Sequence, residues 1–220
     1  MAQPATRPGG VRGLFITLEG GEGAGKSTQT AALSERLEAT GVRVVRTREP
    51  GGTPLGERLR DIALDRSSGG EIALDCLTET LLFVAARAEL VASVIAPALE
   101  ASAIVVCDRF SDSTLAYQGF GRGVDLETIE RLNADAARGL RPDVTVLLDL
   151  PVKEGLSRTG AAGQADRFGR EEAAFHERVR EGYRTLAGRE PERWLVVDAS
   201  QPPDAVTEQI WRRVEPLLAP

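Results

Sequence analysis

The chain has 220 residues, enough for one α/β domain with a sizeable core. Its 27 Lys and Arg against 33 Asp and Glu give a net charge of −6. That balance argues against a broad nucleic-acid footprint but leaves room for small anionic ligands held by local arginines. No apolar run reaches membrane-spanning length, and Cys76 and Cys107 lie in apolar surroundings. The expectation is a cytoplasmic protein with reduced core thiols and neither a membrane nor a nucleic-acid partner.

Residues 1–12 lack an apolar signal-type segment and include Pro4, Pro8, Gly9 and Gly10. They are expected to be a flexible terminus ahead of a single domain over 13–220. The run Leu14–Leu18 predicts a strand, and Ser27–Thr40 predicts a helix free of Pro and Gly. Between them stands Gly20-Gly21-Glu22-Gly23-Ala24-Gly25-Lys26-Ser27, followed by Thr28. Strand, glycine loop and helix in that order make a phosphate-binding loop. The glycines let backbone N–H groups turn toward phosphate oxygens. Lys26 would reach the outer phosphates, and the Ser27 hydroxyl would sit on Mg²⁺. The motif points to a nucleoside triphosphate without saying which reaction consumes it.

A second strand is predicted at Val42–Arg46, and Arg48-Glu49-Pro50-Gly51-Gly52-Thr53 follows as a sharp loop. Arg48 is placed there to hold an anion, with a solvated turn as the alternative. In the helical stretch Leu74–Ala101, residues Glu79, Phe83 and Arg87 share one face at spacings of four. An aromatic ring and a guanidinium one turn apart suit a flat base, with stacking from Phe83 and hydrogen bonding from Arg87. Phe83 in the core and Glu79 in a local ion pair would explain the same pattern.

The apolar run Ala103–Cys107 ends at Asp108, which fits a carboxylate placed near Mg²⁺. Asp149 after Val144–Leu148 fits that loose description equally well, and the neighbouring Arg109 favours Asp108. Ser111–Gln118 is dense in hydroxyl and amide groups that could fix a sugar and a base edge or cap a helix. A helix is predicted over Leu126–Gly139. Arg158 and Arg167 flank small residues, as in a mobile flap or a plain surface loop. Helices over Glu171–Gly188 and Asp204–Leu217 flank a last strand, Trp194–Val197. His176, the only histidine, is assigned no role. Alternating strands and helices imply a doubly wound parallel sheet, with ligands beyond the carboxyl ends of its strands.

Taken together, Gly-Gly-Glu-Gly-Ala-Gly-Lys-Ser-Thr-Gln, Thr-Arg-Glu-Pro-Gly-Gly-Thr, Leu-Leu-Phe-Val-Ala-Ala-Arg-Ala, Asp-Arg-Phe and Ala-Tyr-Gln-Gly resemble bacterial thymidylate kinases over nearly the whole chain. The resemblance implies a P-loop NTPase three-layer fold. Its five-stranded parallel sheet would be covered by helices, with a short mobile lid at about residues 153–172. It implies MgATP-dependent phosphorylation of dTMP to dTDP by a homodimer. Residues Gly20–Thr28 would hold ATP, with Ser200 bordering the adenine. Phe83 would stack on thymine, Arg87 would bond its edge, and Arg48 and Arg109 would grip the acceptor phosphate. Pro50, Ser113 and Gln118 would line the acceptor site, and Tyr117 would crowd the sugar 2′ position. Glu22 would address the acceptor sugar or Mg²⁺-bound water, and Ser27 and Asp108 would serve the metal. The lid departs from the family in being sparse in arginine. Arg158, then Arg167, is the expected catalytic lid arginine beside Lys26 and Arg109. A nucleoside kinase would have no acceptor phosphate for Arg48 and Arg109 to grip. A guanine-reading switch protein would be expected to carry an Asn-Lys-x-Asp segment, which this chain lacks.

Overall fold

The computed structural model describes residues 13–64, 74–161, 168–169 and 171–218. The expected flexible terminus and part of the expected lid, including Arg167, lie outside those residues.

Five strands build one parallel sheet: β1 (Leu14–Glu19), β2 (Val44–Arg48), β3 (Ile104–Asp108), β4 (Val144–Asp149) and β5 (Trp194–Asp198). Their order is β2-β3-β1-β4-β5, so the phosphate-loop strand is central. Alternation along β1 divides the core between the two faces. Leu14, Ile16 and Leu18 meet Leu33 and Leu37 of α1 (Lys26–Glu38) on one side. Val206, Ile210 and Val214 of α9 (Pro203–Val214) close the same layer. Phe15 faces the other way, toward Leu90, Ile95 and Phe110. Buried on both faces, β1, β3 and β4 read as near-continuous apolar runs, which is why they were visible in the sequence.

The remaining helices follow in chain order. They are α2 (Pro54–Ala63), α3 (Cys76–Leu90), α4 (Ala96–Glu100), α5 (Ser111–Thr114), α6 (Leu126–Ala136), α7 (Val152–Ala161) and α8 (Ala173–Arg189). Thr53 caps α2 by accepting from the Gly56 N–H, and Asp75 caps α3 through Leu77 and Thr78. The single helix expected over Leu74–Ala101 is instead α3 and α4 joined by a π-helical turn, Val91–Ile95. Pro97 has no N–H to continue the ladder, and the wider turn just before it absorbs that loss. A second π-helical segment, Leu115–Gly121, follows α5. The strand expected at Val42–Arg46 lies two residues later, in register with β3 from Val44↔Ile104 to Arg48↔Asp108.

The expectation of no apolar run of membrane-spanning length is corrected here. Cys76–Glu100 forms 25 residues of near-continuous helix, with a mean hydropathy of 1.8 over its most apolar 18-residue window. Its apolar side packs on β3 and the adjoining helices: Leu90, Val91, Ile95 and Ala98 join Val105 and Cys107 in one core cluster.

Candidate active site

The glycine loop, Arg48, Asp108-Arg109 and Asp149 lie at the carboxyl ends of β1, β2, β3 and β4. β1 delivers the chain into the glycine loop, where Gly25 takes a left-handed φ of 88° and starts α1 directly. Beyond its chain neighbours, no atom lies within 4 Å of a Cβ built there. Helix α7 packs directly against the loop. A Cβ at Gly23 would lie 2.2 Å from the Gly155 carbonyl oxygen, and one at Gly155 would lie 2.2 Å from that of Glu22. Only two glycines permit this contact, which seats the first turn of α7 on the loop.

Lys26 turns back into the loop and donates to the carbonyls of Gly21 (2.7 Å) and Gly20 (3.2 Å). Burial, with Arg109 nearby, pulls its pKa down to about 8 against the opposing pull of Glu22, Asp108 and Glu19. Incoming phosphate charge would favour the protonated form again. The Ser27 hydroxyl donates to Asp108 Oδ2 at 2.7 Å, so the two expected metal ligands are neighbours. A hydroxyl and one half-buried carboxylate suit Mg²⁺, which keeps waters and takes its other ligands from phosphate. Asp149, the alternative carboxylate, is held bidentately by Arg180 at 2.7 and 3.0 Å.

Arg109 organises the centre. Its backbone has the left-handed φ of 70°. Nη1 donates to the Gly20 carbonyl (3.0 Å), Tyr183 OH (3.1 Å) and Ser113 Oγ (3.3 Å). Nη2 donates to Glu22 Oε1 and Tyr117 OH, both at 3.0 Å. Tyr117 also donates to Glu22 Oε1 at 2.8 Å. Burial alone would raise the Glu22 pKa, but Arg109, Lys26 and the Tyr117 hydrogen bond outweigh it and bring it to about 2. Glu22, the acid of the phosphate loop, therefore stays ionised against the arginine. Behind this centre, Glu19 accepts from the Phe110 N–H (2.8 Å), Ser113 Oγ (2.6 Å) and Tyr183 OH (3.1 Å). Burial and the nearby Asp112 push the Glu19 pKa up to about 8.

The face carrying Phe83 and Arg87 divides by depth. Phe83 is half-buried, with its ring centroid 6.0 Å from that of Phe168. Arg87 is fully buried. Its Nε and Nη2 donate to Glu49 Oε2 at 3.0 and 2.6 Å. Nη2 also reaches Thr114 Oγ1 (2.9 Å) and the Phe110 carbonyl (3.2 Å), and Nη1 reaches Asn133 Oδ1 (2.5 Å). Glu79 accepts from Gln118 Nε2 at 2.8 Å and pairs with Arg122 at 3.4 Å. Arg48 lies at the end of β2, beside buried Pro50, and pairs with Glu57 at 2.8 Å. Arg158 points from α7 toward the Gly23 and Ala199 carbonyls (3.4 and 3.3 Å) and pairs with Glu154. Ser200 is exposed and bound to Asp198. Thr28 is exposed on the first turn of α1.

The family model for thymidylate kinase matches residues 18–210. The chain belongs to the thymidylate kinase family. Its members phosphorylate dTMP to dTDP with ATP, and this chain is such a kinase. It is 53% identical over 212 residues to the thymidylate kinase of Desulfovibrio desulfuricans, covering 93% of this chain and 96% of that one. It is 50% identical over 203 residues to that of Deinococcus radiodurans, covering 92% and 97%. The crystal structure of thymidylate kinase from Ehrlichia chaffeensis superposes with a TM-score of 0.75 at 37% identity, covering 93% of this chain and 99% of that one.

For a thymidylate kinase, four residues of this centre escaped the sequence reading. Glu19 was read as lying past its strand, Tyr183 and Arg180 were plain helix residues, and Arg122 carried no motif. Arg122 pairs with Glu171 at 2.6 Å and lies over the Phe168 and Phe175 rings. The faint signal for Tyr183 was its place in the Phe175, Val179, Tyr183, Leu186 stripe of a helix leading out of the expected lid.

Proposed function

We propose that phosphoryl transfer in this chain is carried by Lys26 and the loop amides on ATP, by Mg²⁺ at Ser27 and Asp108, and by Arg109 on the acceptor phosphate. The observation that carries this reading is the double attachment of Arg109. One end of its guanidinium is bonded to the Gly20 carbonyl of the donor loop, the other to Glu22 and Tyr117 on the acceptor side. An arginine so held spans donor and acceptor and can neutralise charge on the group passing between them. Arg48 is a second grip on the acceptor phosphate, released from Glu57 when phosphate arrives.

Phe83 stacks on thymine. Arg87 builds the floor of that pocket and has one Nη1 hydrogen to offer a base oxygen. Gln118 borders the base and Tyr117 the sugar. Residues 153–172 act as the lid, with Arg158 as its catalytic arginine and Arg167 next in line. The enzyme works in the cytoplasm as a homodimer. Support for a second copy comes from the adjoining helices α2 and α3, which leave Leu55, Ile62, Leu77 and Leu81 between 42% and 50% exposed.

A competition assay with MgATP and equal dTMP, thymidine, dUMP and dGMP tests the reading, with products separated by chromatography. The expected main product is dTDP. Preference for thymidine over dTMP would remove Arg48 and Arg109 from the acceptor phosphate.

A further inference from the structure

We propose that Tyr183 is a positioning residue for Arg109, fixing the guanidinium from the helix that leads out of the lid. The inference rests on the reading of Arg109 as the acceptor-phosphate arginine. Tyr183 is 1% exposed, so a Phe would fill the same space. Its hydroxyl instead meets three polar partners: Arg109 Nη1 at 3.1 Å, Ser113 Oγ at 2.7 Å and Glu19 Oε2 at 3.1 Å. A buried phenol needs such partners, and the choice among them has a direction. Its proton goes to Ser113 or Glu19, which leaves the oxygen lone pairs for Arg109.

Arg109 has reason to need this support. It leaves the chain from a left-handed residue, φ 70°, and its side chain is held by contacts on both nitrogens. Ser113 and Tyr117 come from the segment just after Arg109, and Gly20 and Glu22 from the phosphate loop. Tyr183 alone of these partners comes from α8, whose first residue, Ala173, follows the lid segment. A displacement of α8 is therefore felt at the guanidinium through this hydroxyl.

The test is Tyr183→Phe, alone and combined with Arg109→Ala, with dTMP and thymidine affinities measured by calorimetry. Thymidine lacks the phosphate that Arg109 would hold, so its binding serves as the check on pocket integrity. In Tyr183→Phe, dTMP affinity is expected to fall about tenfold, the size of one hydrogen bond to a charged group. Thymidine affinity is expected to stay within about twofold. Combined with Arg109→Ala, the substitution is expected to add nothing, because both act on one contact. Equal weakening of both ligands, unchanged dTMP binding, or an undiminished Tyr183→Phe effect without Arg109 each overturns the proposal. If Arg109→Ala itself weakens both ligands equally, the Arg109 reading fails and takes this inference with it. If Arg109→Ala is selective and Tyr183→Phe is not, only the role of Tyr183 fails.

Discussion

Replacing Arg87 by Met separates a pocket-floor role from a base-reading role. Arg87 is fully buried and makes five hydrogen bonds, two of them to Glu49 Oε2 at 3.0 and 2.6 Å. Met fills most of the volume but leaves Glu49 buried without its cation. Breaking one partner of a buried pair typically costs about 3–5 kcal/mol. For a chain of this size that corresponds to a fall in Tm of roughly 10 °C. The loss should depend on pH in a defined direction. Burial already raises the Glu49 pKa, with Arg87 pulling it down. Without Arg87 the folded-state value rises further above the unfolded one, so the deficit grows as pH climbs from the ordinary glutamate range. Adding Glu49→Gln removes the stranded charge and should recover part of the loss at neutral pH. Calorimetric melting of the parent, the single variant and the double variant at pH 5 and pH 8 measures all of this. A Tm within about 2 °C of the parent, together with a large rise in KM for dTMP, would refute the argument and return Arg87 to the base edge.

Three further outcomes follow from the same geometry. Glu19 has its pKa raised to about 8 from 4.5, so the folded state keeps a proton that the unfolded chain releases. Stability is lost between those values as pH rises; Glu19→Gln should therefore gain on the parent from pH 4.5 to 8, by up to several kcal/mol, and a pH-independent Tm difference would count against it. Asp108→Asn should raise the Mg²⁺ concentration needed for half-maximal rate by about tenfold or more. Asp149→Asn should instead weaken the Arg180 pair and lower Tm with an unchanged Mg²⁺ titration; the reverse pattern would exchange the two carboxylates. Arg158→Ala should lower kcat by about 10²-fold, and near-unchanged turnover would pass the role to Arg167.

What the sequence disclosed and what it hid follow from the range of the interactions concerned. The phosphate loop was legible because its function is written in consecutive residues, and β1, β3 and β4 because burial on both faces leaves them mostly apolar. Strand β2, at the sheet edge with its side chains only partly buried, carries a weaker signal and was placed two residues early. Glu19 was misread for a physical reason. A carboxylate after the largely apolar run Leu14–Leu18 looks like the end of a strand in water, because burying it unpaired is prohibitive. Here Phe110, Ser113 and Tyr183 supply donors from as far as 164 positions away. The partners of Arg87 are likewise 23 to 46 positions away, brought together only when β3 inserts between β1 and β2. Local spacing therefore located Arg87 on the acceptor face but could not say how deep it lay. Depth is what decides between reading a base and holding the pocket that a base enters. The same reasoning applies to Glu22. A negative charge inside a phosphate cradle is unfavourable by itself; the fold places Arg109 beside it, and a carboxyl held at about pKa 2 is the counterion that keeps this arginine pinned before any phosphate is bound.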